Sequence, residues 1–174
     1  GEVMGIASSF GLAFYKAEEA TGMKLPTEGN CLISVAHRDK KNIIDIAKNL
    51  HNLGFNILAT KGTKEYLFAQ GIQTDLAVKL HEGRPNIADD IHNGKIQIII
   101  NTPIGIAGKH DDGYMRKAAV LRKIPYITTI AAAQASVEGI KAAQSGNIEL
   151  KSIQEYHAQI HAAVKSTKRE KLKI

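Results

Sequence analysis

Apolar residues along the chain follow two periods, one typical of helices and one typical of buried strands. In residues 9–21, 39–53 and 131–143 they recur at the 3.6-residue spacing of a helix with one buried face. Between these segments lie short, almost continuously apolar runs, and the clearest of them are residues 31–35 and 96–100. Such runs are typical of central parallel strands that are covered on both faces. The pattern therefore predicts helices and buried strands in the same domain.

The remaining segments continue the same alternation. Weaker apolar patterns predict strands at residues 55–59, 72–78 and 126–129, a short helix up to Gln70, and helices at 85–94, 112–123 and 153–164. Pro85 suits the first position of its helix. Strand and helix alternate five times with short connections, which indicates an α/β three-layer sandwich with a parallel sheet of about five strands. Ligands of such sheets bind at the carboxyl ends of the strands, so the loops of interest begin at Ala36, Thr60, Lys79, Asn101 and Thr129.

Length and composition narrow the class of protein. The 174 residues, 44% of them hydrophobic, suffice for one domain with a substantial core. We find no apolar run near the roughly 20 residues that a membrane span needs and no export signal. The single cysteine, Cys31, opens a predicted strand, where a small core residue is expected. These features predict a cytoplasmic protein that does not bind membranes.

The net charge of +6 does not by itself indicate nucleic-acid binding. Residues 165–173 hold five basic side chains against Glu170, so this tail carries +4 and the rest of the chain about +2. A short basic terminus without interleaved aromatic residues is usually solvated. We therefore expect no nucleic-acid partner.

One predicted connection has the composition of an anion site. Thr60, Lys61, Gly62 and Thr63 join a strand to a helix. Gly62 permits a tight turn and Thr63 is a possible helix cap, so free N–H groups, two hydroxyls and an ammonium group come together. Phosphate is the natural ligand, although the same residues also suit a capped turn that binds nothing.

Neighbouring loops add groups of the same kind. Lys40 follows the strand that ends near Ser34, Lys79 ends the third strand, and Asn101 and Thr102 end the fourth. Three such loops at one edge of the sheet favour a phosphate pocket. Asn101 and Thr102 are placed to donate hydrogen bonds to a base or a sugar.

The motifs of several enzyme classes are missing. The chain has no dinucleotide-binding glycine pattern and no Walker loop. His157 and His161 are four residues apart on a predicted helix, but a third metal ligand is not apparent. The acidic pairs Asp89–Asp90 and Asp111–Asp112 lie at or in predicted helices, where the interaction of their charges with the helix dipole is the common explanation. The residues therefore predict a domain that binds a small phosphorylated molecule, with no catalytic residue, metal site or cofactor of its own.

Several stretches follow one another in the order and spacing of a known family. They are Ser34-Val35, residues 59–63, Lys79 with the run His81-Glu82-Gly83-Arg84-Pro85, residues 99–102 and residues 154–160. Over nearly the whole chain the sequence resembles the C-terminal domain of the carbamoyl-phosphate synthase large subunit. The His-Glu-Gly-Arg-Pro run is the most specific part of this resemblance.

The resemblance implies a methylglyoxal-synthase-like fold and a regulatory role. The parent enzyme is a glutamine-hydrolysing ligase that makes carbamoyl phosphate for pyrimidines and arginine from ATP, with magnesium or manganese. Its C-terminal domain binds UMP or IMP as a mononucleotide effector, at positions that match Lys40, Thr60, Thr63, Lys79, Asn101 and Thr102, with Ser34 and Lys61 beside them. The expected partners are the rest of the large subunit and the glutamine amidotransferase small subunit.

The resemblance also implies where the effector-binding domain begins. Residues 1–28 would be a helix and linker from the preceding ATP-grasp or interface region, and residues 29–174 the effector-binding domain.

Ile127 occupies the place of an Asp found in members that ornithine activates, which argues against ornithine control. The alternative is a phosphate lyase of the methylglyoxal synthase type, whose carboxylate base would fall near Arg84, a side chain that stays protonated.

Overall fold

Parallel strands form the centre of the molecule. The computed structural model describes residues 2–102, 109–146, 148 and 150–161, with only the backbone at 109–111. Within them the sheet contains β1 (Asn30–Ser34), β2 (Asn56–Thr60), β3 (Asp75–Ala77), β4 (Ile98–Asn101) and β5 (Tyr126–Ile127). The order is β3-β2-β1-β4-β5 and every pairing is parallel. The predicted α/β sandwich with five parallel strands is confirmed.

Helices cover both faces of this sheet. The helices among the described residues are α1 (Phe10–Ala20), α2 (Lys40–Asn52), α3 (Lys61–Phe68), α4 (Ile87–His92), α5 (Lys109–Leu121), α6 (Ile130–Gln144) and α7 (residues 153–161). Side chains of α2, α3 and α6 share one apolar cluster with the sheet, and those of α4 and α5 share the other. In the described part of the chain, a helix long and apolar enough to span a membrane is not found.

The central strand β1 shows why the sequence pattern was informative. Ile33 is completely buried in the cluster below α2 and α6, and Leu32 is completely buried in the cluster below α4 and α5. Successive side chains of a strand point to opposite faces, so a strand covered on both sides must be apolar at every position. Polar side chains are therefore confined to the ends of such strands.

Two predicted element boundaries near α4 were wrong. Pro85 is not the first residue of the helix: α4 begins at Ile87, and Asn86 forms a capping box with Asp89. The predicted strand at residues 72–78 pairs only over β3, because Ile72 instead ends the preceding helix by donating its N–H to the Leu67 carbonyl, 3.0 Å away. A single apolar residue fits a helix end and a strand equally well, so the apolar pattern alone could not assign Ile72.

Two boundaries around α5 and β5 also differ from the prediction. Helix α5 begins at Lys109 rather than at residue 112. Strand β5 ends at Ile127, because Thr129 caps α6 and its Oγ1 accepts a hydrogen bond from the Ala132 N–H at 3.1 Å. Hydroxyl residues suit strands and helix caps equally well, so composition alone could not separate the two.

Helix α1 packs directly on α6 through glycines. Leu12 and Tyr15 of α1 are buried. A Cβ atom added at Gly139 would lie 2.9 Å from the Gly11 carbonyl oxygen and 3.1 Å from Tyr15 Cβ. The two backbones approach too closely for a larger residue. The division between residues 1–28 and 29–174 stays a prediction.

We expect Gly139→Ala to lower the free energy of unfolding by about 1–2 kcal/mol. The new methyl group pushes α1 away from α6, and the packing energy lost in this way exceeds the energy gained from the better helix propensity of alanine. The matched control is Gly113→Ala in α5, where an added Cβ meets no atom within 4 Å. That variant should gain about 0.5–1 kcal/mol. Urea unfolding of both variants measures the difference, and equal stabilities would contradict the close packing.

Candidate functional site

The order of the strands reverses between β1 and β4. From β1 the chain proceeds through β2 to β3 on one side and later through β4 to β5 on the other. Their last residues, Ser34 and Asn101, are partners in the register. A crevice forms where adjacent connections leave in opposite directions, and it lies at the carboxyl ends of the strands. The predicted loops therefore meet at this edge.

A cleft of about 430 Å³ opens beside this point. Five of the residues that sequence analysis selected line it together: Lys40, Thr60, Lys61, Thr63 and Lys79. They come from the start of α2, the junction of β2 with α3, and the loop after β3. Residues up to 39 positions apart in sequence thus share one cleft because the strand ends converge.

The first turn of α3 forms part of the lining of the cleft. The helix starts at Lys61, so Thr63 lies inside its first turn and is not the cap that the sequence suggested. Thr63 Oγ1 accepts hydrogen bonds from the Val35 N–H at 3.4 Å and from Thr60 Oγ1 at 3.3 Å. The first N–H groups of a helix have no partner within it and carry partial positive charge. This turn therefore favours an anion.

Lys40 is held at the same turn. Its Nζ donates to the Gly62 carbonyl at 2.6 Å and lies 5.8 Å from the centre of the Tyr66 ring. An ammonium group has three N–H donors, so Lys40 keeps donors for a ligand after this bond. The contact with the aromatic face favours the same ammonium position.

Ser34 and Thr102 lie buried beside the cleft rather than in its lining. The Thr102 N–H donates to the Ser34 carbonyl at 3.0 Å, and Thr102 Oγ1 accepts from the Ala36 N–H at 2.8 Å. Thr102 therefore ties the end of β4 to the loop after β1. Its hydroxyl hydrogen is the donor that remains for a ligand.

Asn101 has a different orientation from the one its sequence position suggested. Its Nδ2 donates to Asp112 Oδ1 at 2.9 Å and to the Tyr126 hydroxyl at 2.6 Å, towards α5 and β5. Both amide hydrogens are engaged, so Asn101 does not donate to a base or sugar in this arrangement and can only accept. Its Oδ1 is buried and has no hydrogen-bond partner among the described residues.

The Tyr126 side chain in this network is half-buried. Burial raises the pKa of Tyr126 above its ordinary value, and the hydrogen bond from Asn101 opposes that shift. The Arg116 guanidinium lies 5.5 Å from the centre of the Tyr126 ring. Tyr126 therefore stays protonated near neutral pH and accepts the Asn101 hydrogen bond as a neutral hydroxyl.

Sequence analysis missed two carboxylates of the cleft, Glu65 and Glu82. Glu82 Oε2 accepts a hydrogen bond from the Lys79 N–H at 3.1 Å. A signal for Glu65 was present, since it lies four residues after Lys61 on the predicted helix and so shares its face. With both acids included, three lysines face two carboxylates in the cleft.

The other candidate groups have structural explanations. The Arg84 guanidinium bonds to Asp89. This contact, followed by the hydrogen bond from the Asn86 N–H, holds the pKa of Asp89 below its ordinary value.

Burial raises the pKa of the Cys31 thiol, as expected for a core residue. His157 and His161 are exposed, and the described residues contain no group of three potential metal ligands. The side chain of Asp111 lies outside the described residues.

Comparison with known proteins identifies the family. Residues 42–128 match the family model of the MGS-like domain. The chain is 49% identical over 91% of its length to the carbamoyl phosphate synthase large chain of Archaeoglobus fulgidus, and 46% identical over 90% to that of Nostoc sp.. It is 48% identical over 90% to the C-terminal section of the large chain of Methanopyrus kandleri.

These relatives are longer proteins, of which the chain spans 15%, 14% and 29% respectively. Among solved structures, a methylglyoxal synthase from Elizabethkingia anophelis aligns with 65% of this chain and 79% of its own, with a TM-score of 0.54 and 14% identity. That likeness concerns the fold alone. The chain belongs to the MGS-like domain family, and its relatives at 46–49% identity are large chains of carbamoyl phosphate synthase.

Proposed function

We propose that this chain is the allosteric regulatory domain of a carbamoyl phosphate synthase large chain, and that its cleft binds the phosphate of a mononucleotide effector, UMP or IMP. The single observation that carries the proposal is the gathering of Lys40, Lys61 and Lys79 around the first turn of α3. The relatives support the choice of parent enzyme.

The chemistry of the cleft suits a phosphate ester. Near neutral pH a nucleoside monophosphate carries nearly two negative charges and several acceptor oxygens. Three ammonium groups and the N–H groups of a helix start can share that charge, and the Thr60 and Thr63 hydroxyls add neutral donors. In this proposal the phosphate lies above α3, between Lys40 and Lys79.

The rest of the nucleotide would extend towards the point where the strand order reverses. Ser34, Asn101 and Thr102 lie at that side. With its amide hydrogens engaged, Asn101 is proposed to accept from a ribose hydroxyl or a base N–H, while the Thr102 hydroxyl donates. This assignment keeps both residues in the site, but it makes Asn101 a hydrogen-bond acceptor where the sequence suggested a donor.

Regulation requires a coupling between this site and distant catalytic sites. In the proposed parent enzyme, ATP with magnesium or manganese would bind elsewhere in the large chain. This domain would contact that part of the large chain, and the glutamine amidotransferase small subunit would be a further partner. Thr63 and Thr102 support such a coupling, because they join the loop after β1 to the first turn of α3 and to the end of β4.

A phosphate lyase of the methylglyoxal synthase type is the competing function. That chemistry needs a carboxylate base close to the bound phosphate. Glu65 and Glu82 are the carboxylates that line the cleft, so they are the candidates for such a base. Arg84, at the position first compared with the base, is exposed and paired with Asp89.

We expect UMP or IMP to stabilise the chain against heat. A ligand at 100 times its dissociation constant adds about 2.7 kcal/mol, and Lys79→Ala should lose most of this gain because it removes one of three ammonium groups. Lys95→Ala is the matched control: Lys95 precedes β4 and pairs with Asp90, so it lies at the opposite edge of the sheet. A thermal-shift titration measures both. A stabilisation that survives in Lys79→Ala would exclude that lysine from the site.

We expect no release of methylglyoxal from dihydroxyacetone phosphate by the purified chain above the rate in buffer, since the cleft is proposed to bind and not to react. Trapping the product with a hydrazine reagent measures it, with an active methylglyoxal synthase as the positive control. Turnover that disappears in Glu82→Gln or Glu65→Gln would establish the lyase instead.

A further inference from the structure

The run His81-Glu82-Gly83-Arg84-Pro85 contributes an acid to a cleft that is otherwise suited to anions. Glu82 lines the cleft together with Lys79. Its carboxylate accepts the Lys79 N–H at 3.1 Å, and its own N–H donates to the Lys79 carbonyl at 3.0 Å. One backbone donor of the cleft is therefore already bonded to a negative group of the protein itself.

Three further hydrogen bonds hold this turn besides the one to the Glu82 carboxylate. The Ile87 N–H donates to the Val78 carbonyl at 2.9 Å, and Asn86 Nδ2 donates to the Gly83 carbonyl at 2.9 Å. The backbone bond from Glu82 to Lys79 closes the turn a third time. These bonds remain if the Glu82 carboxylate is neutralised or moves away.

Carboxylate and phosphate compete for the same kind of donor. Both accept strong charge-assisted or backbone hydrogen bonds, and two anions close together repel each other even near the surface of a protein. A phosphate that enters between Lys40 and Lys79 meets the charge of Glu82 beside an N–H that it could use.

We infer that Glu82 sets the affinity of the cleft for anions by acting as an internal competitor, whose carboxylate holds the Lys79 N–H until a phosphate displaces it. This inference rests on the proposed phosphate site. It assigns a role to the Glu of the His-Glu-Gly-Arg-Pro run: lowering the affinity so that weakly charged or singly charged anions do not occupy the cleft.

The test compares Glu82→Gln with wild type by isothermal titration calorimetry, with UMP and with inorganic phosphate as probes. Glutamine keeps the size and one acceptor oxygen but removes the charge. We expect both probes to bind about three- to tenfold more tightly, from the loss of one repulsive pair at the cleft. Affinity equal to or weaker than wild type would overturn the competitor role.

The matched control is Glu65→Gln, which removes the same charge from the same cleft. The structure shows no bond from the Glu65 carboxylate to a backbone donor of the described cleft residues, so a smaller gain is expected. An equal gain in both variants would mean that net charge alone matters and would overturn the displacement of the carboxylate from the Lys79 N–H.

A third variant, Glu82→Ala, separates competition from support of the turn. Competition predicts tighter binding in both Glu82 variants. Weaker binding in Glu82→Ala with no change in Glu82→Gln would identify Glu82 as a brace for Lys79. If neither wild type nor Glu82→Gln binds UMP, IMP or phosphate, the proposed function itself fails and the competitor role falls with it.

Discussion

The reversal of strand order between β1 and β4 is the constraint on which the site depends. Both strands are hydrogen-bonded to neighbours on each side and are apolar on both faces, so they offer no place for polar side chains except at their ends. Since all the strands run parallel, their carboxyl ends lie at one edge. Connections that leave β1 and β4 in opposite directions then leave a crevice between them.

Threonine side chains convert that crevice into a defined site. The loop after β1 offers two backbone donors, the N–H groups of Val35 and Ala36, and each is accepted by a threonine from a different neighbour. Thr63 comes from α3 and Thr102 from the end of β4. A buried N–H without a partner is costly, so these bonds hold the loop in place and, through it, the start of α2 that carries Lys40.

In the proposed function the same groups serve stability and binding, and the cleft combines three lysines with two carboxylates rather than carrying positive charge alone. Lys40 already bonds to the Gly62 carbonyl, and the Lys79 N–H already bonds to Glu82. The proposed phosphate can use the remaining donors of Lys40, but it must displace Glu82 to reach the Lys79 N–H. Differential binding to two arrangements of the loops is the physical requirement for an allosteric response, and a cleft whose donors are partly engaged can provide two such arrangements.

Much of the fold followed from local pattern. Residues 31–35 and 96–100 predicted strands because burial on both faces permits only apolar side chains, and α2 followed from its apolar period. The convergence of Lys40, Thr60 and Lys79 also followed, because parallel strands place their carboxyl ends together. The position of Thr63 inside α3, the start of β3 and the start of α5 did not follow, because residues at these positions have similar local preferences for both of the competing structures.

The sequence by itself determined the alternation of elements, the apolar centre of the sheet and the set of cationic and hydroxyl residues at its edge, because these depend on the order and spacing of residue types. Only the tertiary structure decided which atoms are engaged. It turned the Asn101 amide towards Asp112 and Tyr126, and it brought Glu65 and Glu82 into the cleft. The physical reason is that side-chain orientation and pairing depend on neighbours that are distant in sequence and close only after folding.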